Sequence, residues 1–473
     1  MENGNKKRET FSSGLAVFFA TLGSALGLGN IWKFPYLTGV NGGGAFLFAY
    51  LICVLLVGIP VMVSEFFIGR STRKNIMGAI KALTPNWFWR LIAVFGVLAA
   101  YFIMFFYSDV AGWVYYYVFK SLTGRLSGAT VDSASKLFGK SIVGPFEPII
   151  WQLIVLVVVS AIIIAGVKKG IERVTKTLIP VLFVLIIIID IRSLTLPNAM
   201  QGVNFLFHVD FSKLTPVVLL AALGLAFFKL SLGMGTMTTY GSYITEDTNM
   251  IANAAKVAVA DSVVSILAGL AIFPAVFSFG IEPTKGASLL FITLPMIFAK
   301  IPFGGVLLFA FFLLTAIVAT TAMISIVECV TAYFSEEFKC SRTKAVIINA
   351  LIIAGIGVLA TLSADSSALL GNIKIPFWDG ASRGFFDTFD FLSSNILLPL
   401  GGLLIVLFVG WFTDKNKVED ELTNHGLLKN KVYIDVFYVI TKFVAPLLIV
   451  IVFLSSIGVL DKIIVFIRSI FKF

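Results

Sequence analysis

The chain is a succession of long apolar runs separated by short polar connections that are mostly basic. Eleven runs are long enough to cross a bilayer as helices, which takes roughly 20 residues each. They lie near 13–38, 44–68, 91–120, 148–166, 174–191, 213–242, 252–280, 303–335, 344–362, 389–412 and 434–460. Several are longer than a crossing requires, which implies tilt or interruption. The final stretch, 461–473, is too short and too charged to make a twelfth.

Two runs carry material that a continuous helix does not want. The first contains GSALGLGNIWKFP from Gly23 to Pro35, with three glycines, Asn30 and a proline in one span. In lipid, each backbone group freed by a break costs several kcal/mol unless it lines a polar cavity. The sixth run repeats the anomaly with FFKLSLGMG from Phe227 to Gly235. Runs one and six are the first members of two five-span halves. Paired interrupted helices at matching positions point to an inverted-repeat transporter with a site at mid-membrane. Close packing of small residues between helices is the plainer alternative. It accounts for one glycine-rich span but not for Lys229 in the second.

Composition fixes the class. Hydrophobic residues make up 58% and charged residues 13% of the chain, against roughly 25% charged in soluble domains, and the mean hydropathy is +0.98. The basic start, Lys6, Lys7 and Arg8, runs straight into the first span, so no separate signal peptide is expected. The net charge of +10 sits mostly in alternate loops. Arg70, Arg73, Lys74, Lys81 and Arg90 follow span two; Lys168, Lys169, Arg173 and Lys176 join spans four and five; Lys339, Arg342 and Lys344 follow span eight; Lys415, Lys417, Lys429 and Lys431 follow span ten. That places the N-terminus in the cytoplasm and the C-terminus outside a cell membrane crossed many times. It is an orientation signal and not a sign of nucleic acid. The longest outer connections, near 121–147 and 363–388, read as Gly- and Ser-containing loops. Cys53, Cys329 and Cys340 suggest neither disulfides nor a metal site, and His208 and His425 lie in loops. No Walker motif and no nucleophile–base pair is present, so neither ATP-driven transport nor an enzyme is expected.

The motifs strongly resemble the neurotransmitter:sodium symporter family, in particular its bacterial LeuT-type amino-acid transporters. The resemblance covers nearly the whole chain and rests on Gly23 to Pro35, Asn41-Gly-Gly-Gly-Ala-Phe46, Gly58-Ile-Pro60, Lys169-Gly-Ile-Glu-Arg173, Ser231-Leu-Gly-Met-Gly235, Tyr240-Gly-Ser-Tyr243 and Phe291-Ile-Thr-Leu-Pro295. LeuT-type proteins are among the examples behind the inverted-repeat rule itself, so the two observations are not independent. The resemblance implies an all-α membrane fold with a LeuT-type 5+5 inverted repeat, broken spans one and six, and an eleventh span. The halves are 1–192 and 193–412, with 413–473 carrying the last span and a short tail. It implies a substrate site formed by Ser24, Ala25 and Gly29 of span one, Ile103 and Tyr107 of span three, Phe228, Lys229, Ser231 and Met234 of span six, and Ile326 of span eight. Tyr107 takes the place of the tyrosine that bonds the substrate carboxylate. Gly27 stands where monoamine-transporting relatives carry Asp, so the substrate must bring its own carboxylate. An apolar wall and backbone dipoles suit an apolar or aromatic L-amino acid, and flexible Met234 suits a large one.

The family binds sodium at two sites. At the first, Ala25 and Asn30 are kept, but the span-six ligand is Lys229. Lys229 lies fourteen residues from Thr215 and sixteen from Thr245, roughly 20 Å from either end at 1.5 Å per residue. That is too far to snorkel. It therefore needs an anion or must lose its proton; Asp261 in span seven is the candidate partner, since the family's span-seven ligand aligns there or at Ala260, and the alternative is an interfacial Asp261, five residues from Lys256. Lys229 is read as a built-in cation replacing the first sodium; a proton released and rebound in each cycle is the variant. At the second site the oxygens of Gly23, Leu26, Val318 and Thr321 are kept, while Ala322 replaces a Ser, leaving Thr320 or a water to fill in. One sodium is expected. Chloride is not, because Leu225 stands at the family's chloride-site Gln and Asp261 would repel an anion.

The resemblance implies an outer gate at Lys33 and Asp390, capped by Phe228 and Tyr107. Lys33 replaces the usual Arg, so a weaker or water-bridged contact is expected. The inner gate maps to Arg8, Glu336 and Tyr243, with Phe11 at the position of a usual Trp. Gly170 and Pro180 enclose nine residues, as in the family's Gly-x9-Pro element. Glu65 and Glu328 read as polar packing groups. Asp109 is about 200° from Tyr107 around the helix and should face elsewhere. The expected activity is import of an amino acid by alternating access, driven by sodium at the second site, in a monomer or weak dimer. Proton-coupled or ion-independent transport stays open, and more distantly a sensor or channel on the same fold.

Overall fold

The computed structural model describes residues 8–124, 131–144, 146–280, 289–365, 369–378 and 380–459. Lys6, Lys7 and the expectation that 461–473 form no further span lie outside them. Among the described residues, nine helical stretches are long and apolar enough to cross a membrane, and a bent pair makes a tenth. The bent pair is span one, Gly14–Ala25 and Gly29–Val40, which meet at 54°. The sixth expected span is two shorter pieces, Pro216–Lys229 and Thr236–Gly241. The eleventh coincides with the apolar helix Lys431–Ser455.

Local chemistry sets these boundaries. Ser13 caps span one by accepting the Ala16 N–H at 3.2 Å, and Thr215 caps span six by accepting the Val218 N–H at 3.3 Å, each satisfying an orphan donor. Wide π-type turns at Gly29–Lys33, Val54–Gly58, Leu289–Thr293, Leu392–Leu397 and Ile440–Val444 each end two residues before a proline. Proline has no N–H to give, and its ring clashes with the carbonyl four residues back, so the preceding turn widens instead of breaking.

Two expected loops contain ordered elements. The connection 121–147 carries a helix, Val131–Ile142, whose polar sequence gave no span signal. The connection 363–388 carries a two-stranded ribbon in which Ile375 faces Arg383 and Pro376 faces Ser382. Spans three and eight pack along one another, and the first half of span one packs on both span seven and span eight. That arrangement brings the two interrupted spans together in the buried centre: Ser231 Oγ of span six donates to the Ser24 carbonyl of span one at 2.7 Å.

Candidate functional site

Span one stops being helical at Ala25, and Leu26 is extended (φ −76°, ψ 118°). The Gly27 N–H turns to Asn30 Oδ1 at 3.0 Å, and the Asn30 N–H turns to the Gly27 carbonyl at 2.9 Å. The carbonyls of Gly23 and Leu26 thereby lose the amides that a continuous helix would give them. The Leu28 N–H donates to the Tyr107 hydroxyl at 2.8 Å, which leaves the Tyr107 proton free to donate in turn.

Span six stops at Lys229. Ser231 takes a left-handed φ of 53°, and Gly233 and Gly235 take 77°. Glu65 of span two supports the gap. Its carboxylate accepts the Gly233 N–H at 2.7 Å, the Thr238 N–H at 3.1 Å and the Thr238 hydroxyl at 3.2 Å. Glu65 thus holds backbone that no helix satisfies. Each break turns the negative end of one half-helix and the positive start of the next toward the same point.

Between the breaks is a cavity of about 20 Å³, lined by Ser24, Gly27, Gly29, Ile103, Tyr107, Phe228, Lys229, Ser231, Met234, Ala322 and Ile326. That is room for about one water, so a larger guest requires its walls to move apart. Of the ten expected contacts, Ala25 alone does not line it; Ala25 ends its helix and packs into the core. Gly27 and Ala322 line it in addition. A side chain at Gly27 would begin 3.1 Å from the Tyr107 hydroxyl. Ala322 lies one helical turn from Ile326, so periodicity alone could have placed it on this face. Ser24 Oγ is buried there without a hydrogen-bond partner among the described residues.

Lys229 does not snorkel; its side chain is fully buried. Nζ is 3.1 Å from Asp261 Oδ2 and 2.9 Å from the Tyr50 hydroxyl, and it also bonds Ser265 Oγ. The ammonium lies 4.3 Å from the centre of the Tyr50 ring. Asp261 Oδ2 also accepts from the Tyr50 hydroxyl at 2.7 Å, and Oδ1 accepts from Asn30 Nδ2 at 2.7 Å. The charge pair therefore leads, through Asn30, to the Gly27 amide at the cavity. Tyr50 and Ser265 are not among the residues expected from the sequence. Ser265 is one turn beyond Asp261 and was findable by spacing; Tyr50, on a different span, left no local signal.

At the expected second sodium site, Thr321 Oγ1 donates to the Ile317 and Val318 carbonyls, both at 3.1 Å, and keeps lone pairs for a further contact. Thr320 departs from expectation as a replacement ligand. Its hydroxyl is 2.7 Å from the Tyr115 hydroxyl and donates to the Ala316 carbonyl at 2.7 Å, on the far side of span eight, where it lines a cleft at the edge of the bundle. The freed Gly23 and Leu26 carbonyls, with the Val318 and Thr321 oxygens, are an all-oxygen donor set of the kind a hard cation takes.

Both ion pairs expected at the gates are formed. Lys33 Nζ is 2.7 Å from Asp390 Oδ1, a direct single-donor contact rather than a water-bridged one, and it lies 3.8 Å from the Phe228 ring centre. Packing on Phe228 replaces the guidance that an Arg fork would give. Inside, Arg8 bonds Glu336 and donates to Ser242 Oγ at 2.9 Å. Glu336 also accepts from the Asn75 backbone and side chain, each at 2.9 Å. Phe11 packs edge-on against Tyr240 and Tyr243. Glu328 accepts from the Tyr243 hydroxyl at 2.6 Å and from Arg342 at 3.0 and 2.6 Å, so it ties span six to the start of span nine. Asp109 is buried and does not line the cavity.

The model of the sodium:neurotransmitter symporter family matches residues 8–137 and 136–466. An uncharacterized sodium-dependent transporter of Bacillus subtilis, YhdH, is 38% identical over 96% of this chain and 99% of that protein. A sodium-dependent transporter of Haemophilus influenzae is 35% identical over 96% of this chain and 100% of its own length. The crystal structure of MhsT in complex with L-phenylalanine superposes with a TM-score of 0.88 at 41% identity, covering 95% of this chain and 100% of the other.

Proposed function

Because the chain belongs to the sodium:neurotransmitter symporter family, a family of multi-pass membrane transporters and not of enzymes, we propose that it imports an apolar or aromatic L-amino acid. The observation that carries the reading is the meeting of two interrupted helices around Tyr107, Ser24 and an apolar wall. A zwitterion needs opposite dipole ends a few ångströms apart, and two facing breaks supply them. The carboxylate is assigned to the Gly27–Gly29 backbone and the Tyr107 hydroxyl, and the ammonium to the carbonyl ends of the first half-helices. Ile103, Phe228, Met234 and Ile326 face the side chain. The phenylalanine held by MhsT supports this substrate class.

Sodium fits the oxygens of Gly23, Leu26, Val318 and Thr321; bound there, it would tie span one to span eight and add the driving force of its gradient. At the first site the Lys229 ammonium, held by Asp261, takes the place of the sodium ion, so one sodium accompanies each substrate and chloride is not required. The chain works as a monomer or weak dimer of two five-span halves, 1–192 and 193–412, with the N-terminus in the cytoplasm. Counterflow of labelled amino acids into proteoliposomes, one at a time, with sodium and pH varied independently, tests the reading. Accumulation of apolar amino acids against a gradient, dependent on sodium and indifferent to proton uncouplers, is expected. Mere equilibration would indicate a channel, and binding without accumulation a sensor.

A further inference from the structure

A second cavity, far larger than the central one, lies away from it. A cleft of about 630 Å³ opens on the outside of the bundle among spans three, four, five and eight. Phe119 and Trp151 wall one end, Ile162 and Val174 the other. Inside it, the hydroxyls of Tyr115 and Thr320 are bonded to each other at 2.7 Å and ask nothing of a guest. From Trp151 to Ile162 the wall of span four is eleven residues long, about 16 Å at 1.5 Å per residue. One leaflet of the hydrocarbon core is about 15 Å, half of a 30 Å bilayer.

The Ile162 end lies two residues from the end of its helix, where Lys168, Lys169 and Arg173 gather in the next connection. Arg173 lines the mouth of the cleft, is exposed, and has no ion-pair or side-chain hydrogen-bond partner among the described residues. Its neighbours Glu172 and Lys176 are paired with each other at 2.7 Å. A free guanidinium at the mouth of an apolar slot one leaflet deep matches a phosphate attached to an acyl chain. The exposed lysines beside it would repel the cationic head of a zwitterionic lipid and favour an anionic one.

We propose that this cleft is a binding site for one anionic phospholipid, with its phosphate on Arg173 and an acyl chain lying between spans four, five and eight. The proposal does not depend on the transported substrate. It is tested by native mass spectrometry of the full chain, stripped in detergent and titrated with phosphatidylglycerol or phosphatidylcholine of identical chains. The wild type should retain one phosphatidylglycerol with about tenfold preference, the scale of one charge-assisted contact. Arg173→Gln should abolish the preference and Arg173→Lys restore most of it, while Lys300→Gln, at the opposite membrane face, should leave it unchanged. Thr177→Trp, at an exposed position in the slot, should reduce retention of both lipids. Equal retention of the two lipids by the wild type, or an undiminished preference in Arg173→Gln, would overturn the proposal. So would wild-type retention in Thr177→Trp, since the chain would then not lie in the slot.

Discussion

At the scale of single residues, Tyr107 and the Lys229–Asp261 pair matter most. The Tyr107 hydroxyl accepts the Leu28 amide and keeps a proton for the cavity. Tyr107→Phe leaves the packing and removes both bonds, at about 1–3 kcal/mol. The apparent KM for the amino acid should rise roughly tenfold to a hundredfold, measured as sodium-dependent uptake; an unchanged KM would remove Tyr107 from the site. Asp261 neutralises Lys229 in a fully buried setting. Removing one partner of a buried pair costs about 3–5 kcal/mol, so Asp261→Asn should lower the detergent Tm sharply. Lys229→Met combined with Asp261→Asn should recover much of the loss, because no charge then remains to be buried. Lys229 and its need for an anion were legible in the sequence, since a lysine in mid-span cannot reach water. Tyr50 was not, because contact across spans leaves no trace in local spacing.

At the scale of elements, the two breaks were readable from Gly, Asn and Pro inside apolar runs, and their support was not. Glu65 reads in the sequence as a polar packing group; what it packs against, the exposed backbone of span six, is fixed only by which helix lies opposite. The π-type turns ahead of five prolines were equally unread, although the prolines themselves were in plain view. Gly233 is the most constrained point of the second break: φ is 77°, and an added Cβ would sit 2.3 Å from the Leu398 carbonyl oxygen. Left-handed backbone alone costs about 1–2 kcal/mol for an L-residue. Gly233→Ala should therefore lower Tm and uptake together, while Gly224→Ala, where a side chain meets open space, should change neither.

At the scale of the whole molecule, the ion pairs expected at the two gates, Lys33–Asp390 and Arg8–Glu336, are both formed. The sequence named these residues by resemblance, but not that all four would be engaged at once. Glu336 also accepts two bonds from Asn75, so Glu336→Gln loosens spans one, eight and the connection after span two together. Cys329 is buried on span eight, with its thiol 3.4 Å from the Met234 carbonyl. Labelling of Cys329 by a permeant maleimide, with Cys53 and Cys340 replaced by Ala, should therefore quicken in Glu336→Gln and slow again in sodium. Equal rates in both forms would mean that this contact does not hold the inner side shut. In the mechanism proposed, a tethered ammonium stands in for one of two sodium ions. The ratio of sodium to amino acid entering proteoliposomes, measured by dual-label flux in the wild type and in Lys229→Thr, tests it most directly. A single sodium per amino acid is expected in the wild type and a second one in Lys229→Thr; the same ratio in both proteins would rule out the substitution of ammonium for sodium.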